Sequence, residues 1–414
     1  MPDSYSTADT MNLLKKDERK HLGLFYTHTV LEATFSVIWI YWIVHLLDQG
    51  FSYSVIGIAL AINGLSMAIF EVPTGALADA VSRKISVISG FVGFSLILFA
   101  IPSITTPAML ILVFAVWGLP ITLISGAAQA WVVDNLRAED REDLIKEYYV
   151  KNTSLYNFGA ILAAMLSGVI VRLFGMDALW YIQGVALLGS VLVLVIQKEH
   201  FEKKVTRIRE SFSKTFTNIG EGAAFTAQNK NVLYIMIASF FIVVGGELLL
   251  ICSKPFLEVI GVPREYFGYL SAVGAVLCVG MPFLAKYLAG LLKSEKYYLS
   301  VQSLVFGLIL TSVILVKTPV MAALLFVILT LRRTIFSPVL EPFFQGFLPQ
   351  ELRATVGSFR NMVVSVALLA GDFVVSAFTD MTGPQLMLAV GGILMLPSII
   401  FFMRIRAPEY HQET

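Results

Sequence analysis

Long apolar runs separated by short polar segments make up most of the chain. Twelve of these runs come close to or exceed the roughly 20 residues that a helix needs to cross a bilayer. They span approximately residues 22–47, 55–78, 85–104, 108–134, 154–174, 178–197, 232–257, 266–290, 298–316, 319–343, 359–379 and 384–403. Because the apolar residues are continuous within each run, the pattern favours membrane-spanning helices over a β-barrel. We therefore predict an all-α membrane protein with twelve transmembrane helices.

The longest polar segment divides the runs into two sets of six. The predicted regions are a cytoplasmic N-terminal segment at 1–21, a six-helix bundle at 22–197, a linker at 198–231, a second six-helix bundle at 232–403 and a cytoplasmic tail at 404–414. The segment at 50–57 resembles the segment at 261–268, which suggests that the two halves are repeats. Six-plus-six repetition of this kind is typical of transporters.

Apolar residues in the linker recur at steps of three and four. The series consists of Phe201, Val205, Ile208, Phe212, Phe216 and Ile219. Lysine and arginine residues fill much of the opposite face of the same stretch. This pattern predicts an amphipathic helix that lies at the inner membrane surface.

Composition and charge exclude a soluble protein and predict its orientation. Hydrophobic residues make up 57% of the chain and charged residues 14%, whereas an average soluble domain is about 25% charged. Most loop lysines and arginines fall on the side of the N-terminus, and the other side holds Arg172, Arg264 and Lys317. Because cytoplasmic loops are rich in basic residues, we predict a multi-pass protein of the inner cell membrane with both termini cytoplasmic. The net charge of +1 gives no indication of nucleic-acid binding.

Several ionisable side chains lie deep inside the apolar runs, where they are costly and therefore candidates for substrate or proton binding. They are His28, Glu32, Glu247, Arg332, Arg333 and Asp372. His28 and Glu32 are four residues apart and share a helix face, so we interpret Glu32 as a proton or cation site. Adjacent Arg332 and Arg333 point about 100° apart on a helix, so one is expected to face the solute and the other to pair at a helix seam. Asp372 is either a coupling site or a structural partner of an arginine.

Two further features each have two interpretations. Lys254, one turn from the end of its run, either snorkels to the interface or belongs to a gate. Trp39, Tyr41 and Trp42 form either an interfacial aromatic belt or a wall of the substrate site.

The sequence carries no motif for catalysis or for a metal. It has no Walker A loop, no G-x-S-x-G motif and no His–Cys cluster at metal-ligand spacing. Cys252 and Cys278 both lie in apolar runs, which does not support a disulfide framework. We therefore expect neither an enzyme nor a bound cofactor or metal.

The segment between the second and third runs resembles a known signature. Residues 75–84 read Gly-Ala-Leu-Ala-Asp-Ala-Val-Ser-Arg-Lys, which is similar to the G-x-L-A-D-r-x-G-r-k motif of the major facilitator superfamily. The preceding Glu71-Val72-Pro73-Thr74 looks like the E-x-P-T-G variant of drug-efflux-like members. The usual second glycine is Ser82 here, and the usual central basic residue is Ala80.

The resemblance implies two six-helix bundles that rock around a central cavity lined by the first, fourth, seventh and tenth spans. It also places Gly75, Asp79 and Arg83 in an inner-side latch between the two halves; the alternative is a loop that only keeps its basic residues inside. Two features of proton-coupled members are missing. The fourth run has no buried arginine, and the fifth has Gly159 and Gly168 but no proline.

The expected function is secondary active transport by alternating access. We expect export, because the segment at 71–83 resembles that of efflux proteins, and proton coupling, because the deep carboxylates can bind protons and organic solutes in competition. The mixed charge of the deep side chains favours a small organic molecule that is anionic, zwitterionic or amphiphilic. One alternative is a proton-coupled importer of an organic anion, and a second is a non-transporting membrane sensor or scaffold. The expected partners are the small-molecule substrate, protons and membrane lipid, without nucleic acid, and we expect a monomer.

Overall fold

The computed structural model describes residues 16–200 and 208–406, and this part of the chain is almost entirely helical. The first half consists of α1 (Lys16–Thr34), α2 (Trp42–Asp48), α3 (Tyr53–Ala80), α4 (Arg83–Ala100), α5 (Pro107–Ile124), α6 (Ala127–Ala138), α7 (Asp143–Phe174) and α8 (Asp177–Ile196). Short 3-10 turns lie at Ile38–Ile40 and Ile101–Ser103. The predicted all-helical class is therefore confirmed.

The second half repeats this arrangement after a connecting helix, α9 (Ile208–Gln228). It consists of α10 (Lys230–Val259), α11 (Glu265–Cys278), α12 (Met281–Leu292), α13 (Glu295–Ser312), α14 (Pro319–Thr330), α15 (Arg332–Gln345), α16 (Arg353–Met395) and α17 (Pro397–Arg404), with 3-10 turns at Val313–Leu315 and Gln350–Leu352. In the predicted amphipathic helix of the linker, Phe201 and Val205 lie outside the described residues. The described part, α9, packs against α16.

Within the described ranges, nine helices are long and apolar enough to cross a membrane. The number rises to eleven if each of two bent helix pairs is one span: α1 with α2, bent by 43°, and α11 with α12, bent by 50°. One of the nine, Gln350–Arg404, is 55 residues long. Its helix α16 contains Gly383 with a non-helical φ of 80°, at which the helix direction changes.

The two halves repeat the same local turns. Gly50 has a φ of 89° and Gly261 a φ of 88°, a left-handed conformation that glycine adopts without steric penalty. Thr106 and Thr318 each cap the following helix by accepting a hydrogen bond from the amide of a methionine three residues later, at 3.4 Å in both halves. The repeat suggested by the sequence at 50–57 and 261–268 is thus visible in backbone geometry.

The halves meet where small residues let helices approach closely. A Cβ atom added to Gly57 of α3 would lie 2.6 Å from the Cβ of Ser376 in α16. The halves also meet where α7 packs against α11 and where α2 contacts α10. We define the near end of the molecule as the end where α1 begins and α17 ends. The far end is the opposite one, which holds the turns at 49–52 and 260–264.

Candidate functional site

A cavity of ≈ 620 Å³ lies in the second half, between α10, α14, α15 and α16. Its charged lining side chains are Glu247, Lys254, Arg332, Arg333, Glu341 and Arg360. It extends from Lys254, toward the far end, to Glu341 and Arg360 at the near end. Four of the candidates from the sequence analysis, Glu247, Lys254, Arg332 and Arg333, therefore share one space.

The two adjacent arginines lie at a break in the chain direction. Helix α14 ends at Thr330 and α15 begins at Arg332. The guanidinium of Arg332 packs against Gly246 of α10. A Cβ atom added to Gly246 would lie 3.1 Å from the Cζ of Arg332. Arg333 is exposed. Both side chains line the cavity, with Arg332 at the seam to α10 and Arg333 in the more open position.

The cavity carries excess positive charge. Among the described residues, no carboxylate lies within 4.0 Å of Lys254, Arg332 or Arg333. Glu341, by contrast, is neutralised by Arg360 through two hydrogen bonds of 2.6 Å each. The Lys254 ammonium lies 5.2 Å from the ring centre of Phe326, and its side chain lines the cavity. These three cations face one unpaired carboxylate, Glu247.

Two carboxylates occupy the seam between α10 and α16. Gly371 makes room for Glu247, whose Cγ would lie 2.9 Å from a Cβ atom at that glycine. The next residue, Asp372, is 6% exposed, and its Oδ1 has no hydrogen-bond partner in the described structure. A buried carboxylate without a partner is strongly disfavoured as an anion. This seam is therefore suited to holding a proton.

Glu32 and His28 form a separate group in the first half. The His28 Nε2 and the Glu32 Oε2 are 3.7 Å apart, and the His28 ring packs edge-on against Phe91 at 4.8 Å. Glu32 is not among the residues that line the cavity. The sequence placed Glu32 at the same depth as the arginines, but the structure does not bring them together.

Two of the three aromatic residues of the first span face the protein interior. Tyr41 and Trp42 are 0% and 8% exposed, so a lipid-facing belt does not describe them. Trp39 is 42% exposed, and its ring lies 6.2 Å from that of Trp117. None of the three residues lines the cavity of the second half, so both interpretations of Trp39 stay open.

The predicted latch lies within the first half in this structure. Arg83 hydrogen-bonds to Asp79 at 3.1 Å and forms a close ion pair with Asp134. Gly75 is exposed, with no heavy atom of another residue near the position of a Cβ atom. The latch residues thus join α3, α4 and α6 rather than the two halves.

Polar contacts between the halves cluster at the far end. The Arg264 guanidinium binds both oxygens of Asp48 at 2.6 Å and also binds Glu258 of its own half at 2.7 Å. Burial alone would lower the pKa of Arg264, but these hydrogen bonds outweigh it and raise the pKa. Asp380 of α16 accepts hydrogen bonds from the Tyr53 and Ser54 amides at 2.8 and 2.9 Å, capping α3 across the boundary.

Sequence reasoning missed the residues that shape this site. Arg360 stands at the very start of the run at 359–379, where a basic residue indicates only orientation, and Gly246 and Gly371 carry no charge. The one available signal was that a glycine directly precedes each of Glu247 and Asp372. A small residue beside a buried acid indicates close approach of another helix or side chain.

Comparisons with known proteins agree with this architecture. Residues 24–372 match the family described as the Major Facilitator Superfamily. Over 393 residues the chain is 25% identical to the uncharacterized MFS-type transporter YxaM of Bacillus subtilis (strain 168), covering 92% of this chain and 95% of that protein. It is also 25% identical over 210 residues to the inner membrane transport protein YajR of Escherichia coli (strain K12), covering 48% of this chain and 43% of YajR.

Two solved structures have a similar fold. The nucleoside transporter NupG has a TM-score of 0.71 at 16% identity, covering 92% of this chain and 98% of its own. An auto inhibited POT family peptide transporter has a TM-score of 0.71 at 11% identity, covering 95% and 99%. At such identities the likeness concerns the fold alone.

Proposed function

Because the chain belongs to the major facilitator superfamily, we propose that it is a secondary active transporter that works by alternating access. We further propose twelve spans in two six-helix bundles. The two bent pairs count as one span each, and Gly383 divides the long segment Gln350–Arg404 into two.

The substrate we propose is a small organic anion. The observation that carries this proposal is a set of three cations, Lys254, Arg332 and Arg333, that share one cavity. Within residues 16–200 and 208–406, none of them has a carboxylate partner within 4.0 Å. Unpaired charges inside a membrane protein need an anion or water. The planar guanidinium groups are suited to binding carboxylate or phosphate in two-point fashion, and Phe326 and Phe336 supply apolar surface.

The proposed coupling ion is the proton, and Glu247 and Asp372 are its proposed carriers in the second half. A charged Glu247 would compete with the substrate for the neighbouring arginines, and protonation would remove this competition. Proton binding and anion binding would then favour each other, and such coupling is reciprocal. This linkage favours symport, in which the proton gradient drives import of the substrate.

Export is the second candidate, and the efflux-like segment at 71–83 favours it. In that case substrate and proton would exchange, with Glu32 and His28 as the proton site. The non-transporting sensor or scaffold is less well supported, because it gives no reason for buried unpaired charges.

The loop charges favour a cytoplasmic near end, with the protein in the inner membrane and both termini inside. The contacts at the far end would then hold the outer gate closed. We propose that Gly75, Asp79 and Arg83 contact the second half when the near end closes in its turn.

Purified protein in liposomes that contain a pH-sensitive dye would test this function. Citrate, glutamate and glucose 6-phosphate serve as anionic probes, uridine as a neutral one and tetraphenylphosphonium as a cationic one. We expect internal acidification when an accepted anion is added, and loss of the signal in Arg333→Gln but not in Lys286→Gln, which removes an exposed charge outside the cavity.

Other outcomes decide among the alternatives. Internal alkalinisation would indicate that the substrate exchanges for protons, so that the proton gradient would drive export of the substrate. A response to the neutral or cationic probe alone would overturn the anionic substrate. Folded protein that moves none of the probes, nor any member of a wider metabolite panel, would favour the sensor.

A further inference from the structure

A second recess lies at the near end, where α9 ends, α10 begins and α17 ends. Its volume is ≈ 750 Å³, and it shares no lining residue with the cavity. Its lining includes Phe225, Asn229, Lys230, Tyr234, Arg404 and Arg406. We call it the near-end recess.

The lining of the near-end recess is basic and contains no acidic residue. Lys230, Arg404 and Arg406 are all exposed, and in the described ranges none of them has a carboxylate within 4.0 Å. Two other cations at the same end do have partners: the Lys151 ammonium is 2.6 Å from Glu18, and the Lys84 ammonium donates to the Gln197 carbonyl at 2.6 Å. Three uncompensated cations around one recess create a positive potential that attracts an anion.

The backbone groups beside the recess are already satisfied. The Asn229 side chain accepts hydrogen bonds from the Asn231 and Val232 amides at 3.1 and 3.2 Å, and so caps α10. The Asn231 side chain accepts a hydrogen bond from the Arg406 amide at 3.1 Å, which holds the segment that follows α17 beside α10. Attraction for an anion therefore comes from the three cationic side chains and not from the helix terminus.

The recess lies at the polar ends of two apolar helices. Lys230 is the first residue of the apolar helix α10, and Arg404 is the last residue of α17. Next to the cations, the Tyr234 ring lies 6.3 Å from Phe401 and offers an aromatic surface. Basic groups beside an aromatic and apolar surface at such helix ends match a phospholipid, with its phosphate near the cations and its chains along the helices.

We propose that the near-end recess binds the phosphate of an anionic phospholipid, such as phosphatidylglycerol, from the leaflet at the near end. Phe225 of α9 lines the recess, so a bound lipid would also hold the connecting helix against α10 and α17. This site is independent of the transported substrate and does not rest on the proposed function.

Native mass spectrometry of the purified full-length protein tests the proposal. The protein is titrated with phosphatidylglycerol, with phosphatidylcholine and, in a separate arm, with inorganic phosphate. We expect the double variant Arg404→Gln/Arg406→Gln to lose affinity for phosphatidylglycerol at least tenfold, with phosphatidylcholine binding unchanged. The matched control Lys286→Gln/Lys293→Gln removes two exposed near-end charges of the same half outside the recess and should retain the affinity.

Several results would overturn the proposal. An equal loss in both double variants would show a general charge effect, and equal binding of the two lipids would show no headgroup preference. Competition by millimolar inorganic phosphate would assign the recess to a soluble anion. If phosphatidylglycerol is preferred over phosphatidylcholine only after residues 407–414 are removed, the recess is the binding site of that tail, which carries two glutamates. If the double variant does not fold, Lys230→Gln provides the same comparison with one charge removed.

Discussion

The Arg264 guanidinium binds both carboxylate oxygens of Asp48, each at 2.6 Å, across the boundary between the two halves. The Tyr41 hydroxyl reinforces this contact: it donates to the Arg264 carbonyl at 2.9 Å and accepts from the Gly268 amide at 3.1 Å. The end of α2 is thereby tied to the start of α11. Breaking this tie should loosen the far end without disturbing the cavity.

We predict that Asp48→Asn increases opening at the far end. The variant keeps the shape of the side chain but loses the charge, and charge-assisted pairs are the stronger hydrogen bonds. Amide hydrogen exchange of residues 265–268, followed by mass spectrometry, should accelerate about tenfold, equivalent to about 1.4 kcal/mol. Arg172→Gln, an exposed far-end change, is the control, and unchanged exchange in Asp48→Asn would contradict the role of the pair.

Replacing the arginines of α15 by lysine should separate their roles. Lysine keeps the charge but loses the planar fork. Arg333→Lys, at the open position, should weaken binding of the transported anion at least tenfold, or about 1.4 kcal/mol. Arg332→Lys, at the seam with Gly246, should mainly reduce the yield of folded protein.

Equilibrium binding by isothermal calorimetry and fluorescence-detected size exclusion measure these two effects. Lys286→Arg serves as the control outside the cavity. If both lysine variants bind like the parent, neither arginine is a ligand and the anionic substrate should be abandoned.

The sequence predicted the helical class and the repeated turns at Gly50 and Gly261, because apolar run length and turn residues determine them. Four candidate residues do share a cavity, as their spans suggested. Glu32 does not join them, because run position gives depth but not the direction in which a side chain points. The distant partners of Arg83 and Arg264 could not be predicted either, since Asp134 lies on α6 and Asp48 on α2, far away in the chain.

The two candidate proton sites, Glu247 with Asp372 and Glu32 with His28, lead to different predictions for coupling. If Asp372 and Glu247 carry the proton, Asp372→Asn should abolish accumulation against a gradient while substrate exchange across the membrane continues. Glu32→Gln should do the same if the pair with His28 is the proton site. Comparing uphill uptake with exchange in both variants, using an anion accepted in the liposome experiment, identifies the coupling group.

Normal accumulation in both variants would exclude both sites. The control is Glu199→Gln at the near end, where Glu199 accepts hydrogen bonds from Ser82 and the Lys84 amide at 2.6 and 2.9 Å. Its loss affects a surface contact and should leave coupling intact.

Gly371 should tolerate no side chain. A Cβ atom at this position would lie 2.6 Å from the Cβ of Glu247, and overpacking of this kind typically costs 1–3 kcal/mol, or about 2 kcal/mol here. We expect Gly371→Ala to lower the melting temperature of the purified protein. Gly189→Ala, where no atom lies within 4 Å of the added carbon, should leave it unchanged or raise it slightly, and equal effects would show that crowding at Glu247 is not the cause.

Asp79→Asn should slow turnover. In this structure Asp79 helps to orient Arg83, which also binds Asp134. Loss of the carboxylate charge should change the rate but not the affinity for substrate, because the group lies outside the cavity. An unchanged turnover rate in Asp79→Asn would contradict a gating role. Arg83 and Lys84 would then serve only to orient the protein in the membrane.

The closing contact at the far end is only partly shielded, since the Arg264 and Asp48 side chains are 35% and 41% exposed. Dissolved salt weakens such a pair, because the Debye length shrinks from about 30 Å at 0.01 M to about 10 Å at 0.1 M ionic strength. The fraction of molecules closed at this end should therefore fall as the bathing medium becomes saltier. The resting conformation of this protein would then follow the ionic strength of its surroundings before any substrate is bound.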